Sequence, residues 1–268
     1  MNSPKIVLIT GATSGIGKET ALFLTEKGFI VYGTARDVEN KSLPFRLLPM
    51  DVRSKESIEK AIQTVLSETG KIDILINNAG VGISGAVEEL PSEQLENVFA
   101  TNFFGAVSLM QCVLPPMRKQ QSGLIINITS IAGYMGLPFR GAYSASKGAL
   151  MLLSESLRME VKNFGIEVTT IAPGDYATDI ASRRYHAPVK EDSVYKETYQ
   201  KSLDLMNKHV DSGGNPIEMA EKIYKIIQTK HPDVHYKQGN FLQKFSVVLK
   251  RILPSKTYER ILMKHYEL

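Results

Sequence analysis

A tyrosine and a lysine stand four residues apart in the segment Tyr143-Ser144-Ala145-Ser146-Lys147. On a helix this spacing places both side chains on one face, one turn apart. A phenol ionises near pH 10, so it exchanges protons poorly at neutral pH unless a nearby positive charge stabilises the phenolate. A phenol beside an ammonium therefore suits general acid and base chemistry on an alcohol or a carbonyl. Because a lone Tyr-x-x-x-Lys also occurs on ordinary surface helices, other parts of the sequence must decide.

A glycine-rich turn follows the first apolar segment of the chain. Residues 5–10 are apolar and β-branched, which predicts a strand buried on both faces, and residues 18–27 are predicted to form a helix. Glycines between a strand and a helix let the backbone approach a pyrophosphate, and the helix N-terminus offers free N–H groups. The sequence therefore predicts a dinucleotide site. Its candidate contacts are Gly11, Thr13, Ser14, Gly15, Ile16 and Gly17.

Arg36 follows the second predicted strand, at the position that reads the adenosine ribose in a dinucleotide fold. An acidic residue there would bind a free 2′-hydroxyl, but Thr34 and Ala35 are not acidic. A guanidinium pairs well with phosphate oxygens, so we expect NADP rather than NAD. The alternative is that Arg36 is an ordinary solvated charge, which Asp37 could neutralise.

Two more turns follow predicted strands. Asp51-Val52 ends the third strand, and the Asp51 carboxylate could accept a hydrogen bond from the adenine amino group or could cap the next helix. The fourth strand, residues 74–77, runs into Asn78-Ala79-Gly80. Small residues in that turn would let the backbone lie against the cofactor.

These motifs resemble, in type and in order, those of the classical short-chain dehydrogenases/reductases. Residues 10–17 match T-G-x-x-x-G-x-G, residues 77–80 match N-N-A-G, and Tyr143 with Lys147 matches Y-x-x-x-K. Ser130 precedes Tyr143 by 13 residues, the usual separation in the family. The remaining matches are Asn102 in T-N-F-F-G, and Pro173, Gly174 and Thr178 in P-G-x-x-x-T.

The resemblance, which covers about residues 5–230, implies a role for each of these residues. Tyr143 would be the acid and base, and Lys147 would favour its phenolate and hold the nicotinamide ribose. Ser130 would donate a hydrogen bond to the substrate oxygen, and Asn102 would anchor a water that links Lys147 to solvent. The nicotinamide carboxamide would contact Thr178 and the backbone after Pro173 and Gly174. The family also implies a homodimer or a homotetramer.

Substrate preference is expected in two segments. The apolar residues Leu137 and Phe139, between Ser130 and Tyr143, are predicted to form one wall of a hydrophobic pocket. Residues 179–215 break the alternation of strands and helices, and in the family this region is a flexible substrate lid. The candidates for the underside of the lid, which could equally only pack it onto the body, are Tyr185, Tyr195, Tyr199 and Met206. Asp175, after Pro173-Gly174, departs from the apolar residue usual in the family and is expected to point to solvent.

Predicted strands and helices alternate along most of the chain, which predicts an α/β fold. We expect one domain over residues 1–268, a single-domain Rossmann fold whose doubly wound parallel sheet has about seven strands and helices on both faces. The clearest predicted helices are residues 92–119 and 143–163, and the last predicted strand is residues 235–237.

Residues 237–268 are predicted to form a basic extension. They carry seven Lys or Arg and two Glu, a net charge of +5, whereas the whole chain has only +4. Apolar residues recur there at helical spacing, which predicts an amphipathic helix that Pro254 ends. These residues are Phe241, Phe245, Val248, Leu249 and Ile252. The helix could pack over the substrate cleft or at a subunit interface, or it could lie on an anionic membrane surface.

Composition excludes several classes of protein. The chain is 43% hydrophobic and 22% charged, as in an ordinary globular protein, and we expect neither a nucleic-acid partner nor a membrane-spanning segment. The five histidines show no metal-ligand spacing, and the single cysteine, Cys112, lies in an apolar run. The first strand starts near residue 5, which leaves no room for a signal peptide, so a cytoplasmic enzyme is expected.

The leading hypothesis is an NADP(H)-dependent oxidoreductase that acts on a lipophilic alcohol or carbonyl. The tail, the wall at residues 136–139 and Arg36 look most like the hydroxysteroid and retinol dehydrogenase branch. One alternative is a 3-oxoacyl thioester reductase, although such enzymes typically end just after the last strand. An alternative of another class is a non-catalytic NADP-binding regulator, which should have lost Tyr143, Lys147 or Ser130.

Overall fold

The structure, a computed structural model, describes residues 3–176, 184–211 and 213–268, with residues 208–211 described by their backbone alone. The strands in these residues are β1 (Ile6–Thr10), β2 (Ile30–Ala35), β3 (Arg46–Pro49), β4 (Ile74–Asn77), β5 (Ile83–Ser84), β6 (Gly123–Ile128), β7 (Ile166–Pro173), β8 (Tyr185–His186) and β9 (His235–Gln238). Seven of them form a parallel sheet in the order β3-β2-β1-β4-β6-β7-β9, and β5 pairs with β8.

Helices cover both faces of the main sheet. They are α1 (Gly15–Glu26), α2 (Lys55–Thr69), α3 (Ser92–Phe99), α4 (Gly105–Gln120), α5 (Gly141–Val161), α6 (Lys196–Asp211), α7 (Pro216–Gln228), α8 (Phe241–Ile252) and α9 (Ser255–His265). One apolar core joins the sheet to α2, α4 and α5, and a second joins the opposite face to α1 and α7. The predicted doubly wound α/β fold is therefore confirmed.

The sheet forms where the sequence is apolar and β-branched. All five residues of β1 are buried, because the strand has neighbours on both sides and helices on both faces. The helix predicted at residues 92–119 is interrupted by a π-helical turn at Ala100–Phe104, where the Gly105 amide donates to the Ala100 carbonyl. Such turns often occur at functional sites, and this one contains Asn102.

One helical stretch among the described residues, Ser92–Gln120, is long and apolar enough to cross a membrane by composition alone. The expectation that the chain has no membrane-spanning segment therefore stays a prediction. The stretch supplies Leu109, Met110, Val113 and Met117 to the first core. Its apolar character is thus used in packing against the sheet.

The segment predicted to be a lid is partly regular. Residues 179–183 and 212 lie outside the described residues, while β8 and α6 occupy much of the remainder. Tyr199 and Met206 of α6 are buried in an apolar cluster with Tyr143, and Tyr185 and Tyr195 are partly buried against the same cluster. The four predicted residues thus face the body of the protein.

The C-terminal extension contains the two predicted helices, α8 and α9, separated at Leu253-Pro254. It begins after β9, so Lys237 and Gln238 belong to the sheet and not to the extension. The alternative in which the apolar side of α8 packs over the cleft is wrong, because Phe241, Phe245, Val248 and Ile252 are exposed. Of the five predicted apolar residues, Leu249 is partly buried against the body. The helix instead packs through its other side.

Candidate active site

A cleft of about 410 Å³ opens at the carboxyl ends of the parallel strands, where β1 lies between β2 and β4. This is the position at which open α/β sheets bind ligands, because the strand order reverses there. Fifteen predicted residues line it: Gly11, Thr13, Ser14, Gly15, Ile16, Gly17, Arg36, Asp51, Val52, Asn78, Ala79, Gly80, Tyr143, Lys147 and Pro173. The predicted residues outside its lining are Asn102, Ser130, Leu137, Phe139 and Gly174. Thr178 lies outside the described residues.

Two turns at the floor of the cleft are tied together. The Thr10 hydroxyl oxygen accepts hydrogen bonds from the Asn78 and Ala79 amides at 3.0 and 2.8 Å, and the Asn78 side chain donates to the Thr10 carbonyl at 2.8 Å. A Cβ on Gly17 would lie 2.3 Å from the Gly11 carbonyl oxygen, so only glycine fits this close approach of helix and turn. The glycines of this turn are therefore needed for the packing of the fold as well as for the predicted cofactor site.

The N-terminus of α1 faces the cleft without a side-chain cap. Ser14 is the N-cap in an extended conformation, and its side chain makes no capping hydrogen bond to the described residues. The first-turn N–H groups of the helix are therefore available to an anion. Together with the close backbone approach at Gly17, this cradle fits the pyrophosphate of a dinucleotide.

The adenosine end of the cleft carries more positive charge than the sequence predicted. Arg36 has no carboxylate at ion-pair distance among the described residues, because Asp37 pairs instead with Lys41, Nζ to Oδ2, at 2.8 Å. Lys41 itself lines the cleft. The alternative in which Asp37 neutralises Arg36 is therefore wrong.

Asp51 is held by a neighbouring guanidinium. Arg53 donates to both carboxylate oxygens, from Nη2 at 2.7 Å and from Nε at 3.0 Å, and these hydrogen bonds lower the pKa of Asp51. Arg53 also donates to Asn97 at 3.0 Å. The cap of α2 is Ser54, so the alternative in which Asp51 caps that helix is wrong. The Asp51 carboxylate lies at the cleft. Its contact with adenine stays a prediction.

Lys147 is a buried ammonium at the centre of the site. Its Nζ donates to the Ile128 carbonyl at the end of β6, at 2.8 Å. Burial lowers the pKa of Lys147 to about 8, because desolvation disfavours the charged form. The side chain is therefore mostly charged at pH 7 and mostly neutral above pH 9.

Tyr143 lies one turn before Lys147 on α5, and both residues line the cleft. The Arg140 guanidinium lies 5.3 Å from the centre of the Tyr143 ring. Ser130 reaches this neighbourhood through the turn Ile131–Tyr134, which packs on α5 so closely that a Cβ on Gly133 would lie 3.1 Å from the Lys147 carbonyl carbon. The Ser130 oxygen accepts from the Ala132 amide at 3.1 Å, and its proton makes no hydrogen bond to a described residue.

Asn102 holds the loop after β4 in place. Its side-chain oxygen accepts from the Val81 amide at 2.8 Å, and its side-chain nitrogen donates to the Val81 carbonyl and to Ser146. The amide group is thus already occupied by protein groups. Both protons of the side-chain nitrogen are in use, and the predicted water link stays a prediction.

Asp175 does not point to solvent as expected. It is half-buried, and Gln243 of α8 donates to its carboxylate at 2.8 Å. The preceding residue, Gly174, donates from its amide to the Gln238 carbonyl at 2.7 Å. The segment after β7 is therefore fixed between β9 and the start of α8.

The predicted substrate wall is apolar and aromatic. The Phe139 ring lies 5.2 Å from the Tyr199 ring, and Leu137 packs in the same cluster as Tyr143. Phe139 has a φ of 55°, a left-handed conformation that is costly for a bulky residue. Its backbone is held by a hydrogen bond from the Gly85 amide to the Phe139 carbonyl.

Sequence reasoning missed several residues of this site. Lys41, Arg53 and Arg140 reach it from positions that match no motif, and Gln243 of the extension contacts Asp175, two residues after Pro173 of the cleft lining. Their basic or polar character gave no signal by itself, because only the fold brings them to the cleft. Among the described residues, no cluster of three or more His, Cys, Asp or Glu side chains could hold a metal ion.

Comparison with known proteins gives consistent results. The profile of the family described as short chain dehydrogenase matches residues 5–188. The chain is 40% identical over 264 residues to the 3-ketodihydrosphingosine reductase of Bacteroides thetaiotaomicron, covering 98% of each chain. It is 32% identical to retinol dehydrogenase 8 of Homo sapiens, covering 86% of this chain and 80% of that protein.

A solved structure extends the likeness to the whole chain. A short-chain dehydrogenase from Streptomyces avermitilis superposes with a TM-score of 0.84 at 29% identity, covering 100% of this chain and 97% of that one. The extension with α8 and α9 therefore falls within the superposed length.

The buried ammonium predicts a pH-dependent stability. In the cofactor-free protein, Lys147 releases its proton near pH 8, whereas in the unfolded chain it does so near 10.5. The unfolded state therefore binds more protons between these values, and the free energy of unfolding should rise with pH by about 1 kcal/mol per pH unit from this residue. Urea unfolding of the wild type and of Lys147→Met from pH 7 to pH 10 measures it. The free energy of unfolding of the wild type should increase relative to that of Lys147→Met as pH rises, and parallel curves would contradict the assignment.

Proposed function

Because the chain belongs to the short-chain dehydrogenase family, we propose that it is an NADP(H)-dependent oxidoreductase acting on the carbonyl or secondary alcohol of a lipophilic substrate. The observation that carries the proposal is the meeting of Tyr143 and Lys147 with the glycine-rich cradle in one cleft. Hydride chemistry is supplied by the nicotinamide when it is bound. The residues of the chain then have to bind and orient the cofactor and the substrate, and to move a proton.

In the reduction direction, Tyr143 donates its phenolic proton to the substrate oxygen as negative charge develops there. Lys147 lies one turn away and is mostly charged at pH 7, so its ammonium stabilises the phenolate that remains. Ser130 has its hydroxyl proton free to donate to the same substrate oxygen. In oxidation the same groups act in reverse, with the phenolate as the base.

A preference for NADP is supported by charge. Arg36 is exposed at the cleft without an ion-pair partner among the described residues, and Lys41 lines the same end. Guanidinium and ammonium groups pair with the 2′-phosphate that distinguishes NADP from NAD. The absence of an acidic residue at Thr34 and Ala35 supports the same preference.

A lipophilic substrate is supported by the apolar wall and by two relatives. The cluster around Tyr143 contains Leu137, Phe139, Tyr199 and Met206. The relatives are named for a ketodihydrosphingosine and for retinol, which are both lipids.

The second candidate function is that of a 3-oxoacyl thioester reductase. It would be favoured if a panel of long-chain ketones and 3-oxoacyl thioesters showed the higher kcat/KM for the thioesters.

Replacing the proposed proton donor should abolish turnover but not cofactor binding. We expect Tyr143→Phe to lower kcat by about 10²–10⁴-fold, the usual contribution of an acid or base, with an NADPH Kd near that of the wild type. Tyr134→Phe removes a phenol from the adjacent turn, outside the cleft lining, and serves as the matched control. Ketone reduction and NADPH fluorescence titration measure the two quantities. A Tyr143→Phe variant that keeps more than about a tenth of wild-type kcat would show that another group moves the proton.

Removing the guanidinium at the ribose should change the choice of cofactor. We expect Arg36→Ala to lower kcat/KM for NADPH roughly ten- to a hundred-fold, the cost of a lost charge-assisted phosphate contact, and to leave NADH nearly unchanged. Lys60→Ala, which removes an exposed charge on α2, controls for net charge. Steady-state kinetics with both cofactors measure the effect. Equal use of NADH and NADPH by the wild type would refute the proposed preference.

A further inference from the structure

The apolar stripe of α8, defined as Phe241, Phe245, Val248 and Ile252, is the most exposed apolar surface on any one helix of the described residues. These residues recur at intervals of four, three and four, so they line up along one side of the helix. Their exposed fractions are 72%, 40%, 44% and 68%, and the neighbouring Leu242 is 74% exposed. Four aligned large apolar side chains form a contiguous patch, whereas scattered exposed apolar residues would need no explanation.

The direction of the stripe is fixed by what the opposite side of α8 contacts. Val247 is 1% exposed, and Gln243 donates to the Asp175 carboxylate at 2.8 Å. Asn240 and Gln243 form a capping box at the start of the helix. Rolling α8 to bury its stripe against the body would break these contacts, so the stripe stays outward.

The helix after α8 secures the same orientation. Tyr258 of α9 is buried, and its hydroxyl lies 2.7 Å from the Met135 sulfur. The Lys250 ammonium of α8 lies 5.2 Å from the centre of the Tyr258 ring. The two helices are therefore docked on the body, and the exposed stripe belongs to a packed element.

Charge indicates what covers the stripe. Lys244 and Arg251, each one position before a residue of the stripe, border it along one side and are exposed. Residues 237–268 carry a net charge of +5, whereas residues 1–236 carry −1, because 25 of the 32 basic and 26 of the 28 acidic residues lie there. An apolar helix side bordered by basic residues matches a bilayer interface that contains anionic lipids. A second copy of the chain would instead bring like charges together along the border.

We propose that the apolar stripe of α8 inserts into the interface of an anionic phospholipid bilayer. Phe241, Phe245, Val248 and Ile252 enter the acyl region, and Lys244 and Arg251 contact the lipid phosphates. Asp175, which Gln243 holds, lies two residues after Pro173, and Pro173 lines the cofactor cleft. The docked protein therefore holds its cleft beside the lipid surface. Docking rests on the surface of α8 alone and does not depend on the proposed activity.

Vesicle flotation of the full chain tests the proposal. The probes are vesicles of phosphatidylcholine with one quarter phosphatidylglycerol and vesicles of phosphatidylcholine alone. We expect the wild type to float with the anionic vesicles, at least tenfold more weakly with neutral vesicles, and more weakly as salt rises. Each basic residue at the surface contributes about fivefold to the partition coefficient, so Lys244→Glu/Arg251→Glu should lose at least 25-fold.

Two matched double variants distinguish vesicle binding through the stripe from a general effect of exposed apolar side chains. Phe241→Ser/Ile252→Ser should lose at least tenfold in vesicle binding. Val87→Ser/Met159→Ser removes two apolar side chains of equal exposure, 71% and 73%, from other surfaces and should bind as the wild type does. NADPH affinity and circular dichroism report whether each variant is folded.

Three outcomes would overturn the proposal. The first is a wild type that stays unbound with anionic vesicles at low salt. The second is vesicle binding that Phe241→Ser/Ile252→Ser leaves unchanged. The third is a wild-type dimer in sedimentation that this variant alone dissociates, which would make the stripe an interface between copies of the chain. Reduction of a water-soluble ketone, assayed without vesicles, reports on the proposed function separately.

Discussion

The buried ammonium of Lys147 is the constraint on which the rest of the site depends. A cation removed from water is costly unless polar groups surround it, and here the carbonyl at the end of β6 accepts its hydrogen bond at 2.8 Å. A Cβ on Gly80 would lie 3.4 Å from the Lys147 nitrogen and 3.3 Å from the Asn102 side-chain oxygen. The loop after β4 and the turn after Ser130 come close to Lys147, and the π-helical turn contacts the preceding residue, Ser146, through Asn102. The position of Tyr143 follows, because it lies one turn earlier on the same helix.

The cleft joins two regions with different physical demands. At the ribose end the surface is open and positively charged, with Arg36 and Lys41 near a carboxylate already held by Arg53. Beside Tyr143, outside the cleft lining, the packing is apolar and aromatic, with the Phe139 and Tyr199 rings 5.2 Å apart. Tyr143 belongs to both regions, because it lines the cleft and packs in the apolar cluster.

The fold and most of the cofactor cleft could be predicted from the sequence because their signals are local. A buried strand followed by glycines predicts its own helix, and residues that follow parallel strands meet at one edge of the sheet. Lys41 and Arg140 lie five and three residues from Arg36 and Tyr143, but they could not be predicted because no motif marks them and the sequence does not show which way their side chains turn.

The orientation of α8 shows the same limit. The helical spacing of its apolar residues was correctly predicted. Which side of α8 faces solvent depends on the contact between Gln243 and Asp175, 68 residues apart in sequence. Nothing in the spacing of apolar residues reveals which side of a helix is held by such a long-range hydrogen bond. A hydrophobic pattern therefore predicts that a stripe exists and leaves open what covers it.

The hydrogen bond between Gln243 and Asp175 has a thermodynamic consequence for the whole molecule. It joins α8 to the segment that follows Pro173, and Pro173 lines the cofactor cleft. Binding energies at two linked sites are reciprocal: whatever factor a ligand on α8 applies to cofactor affinity, the cofactor applies to that ligand. If the bond differs between the two bound states, the occupancy of the cleft and the occupancy of the helix surface become a single coupled equilibrium.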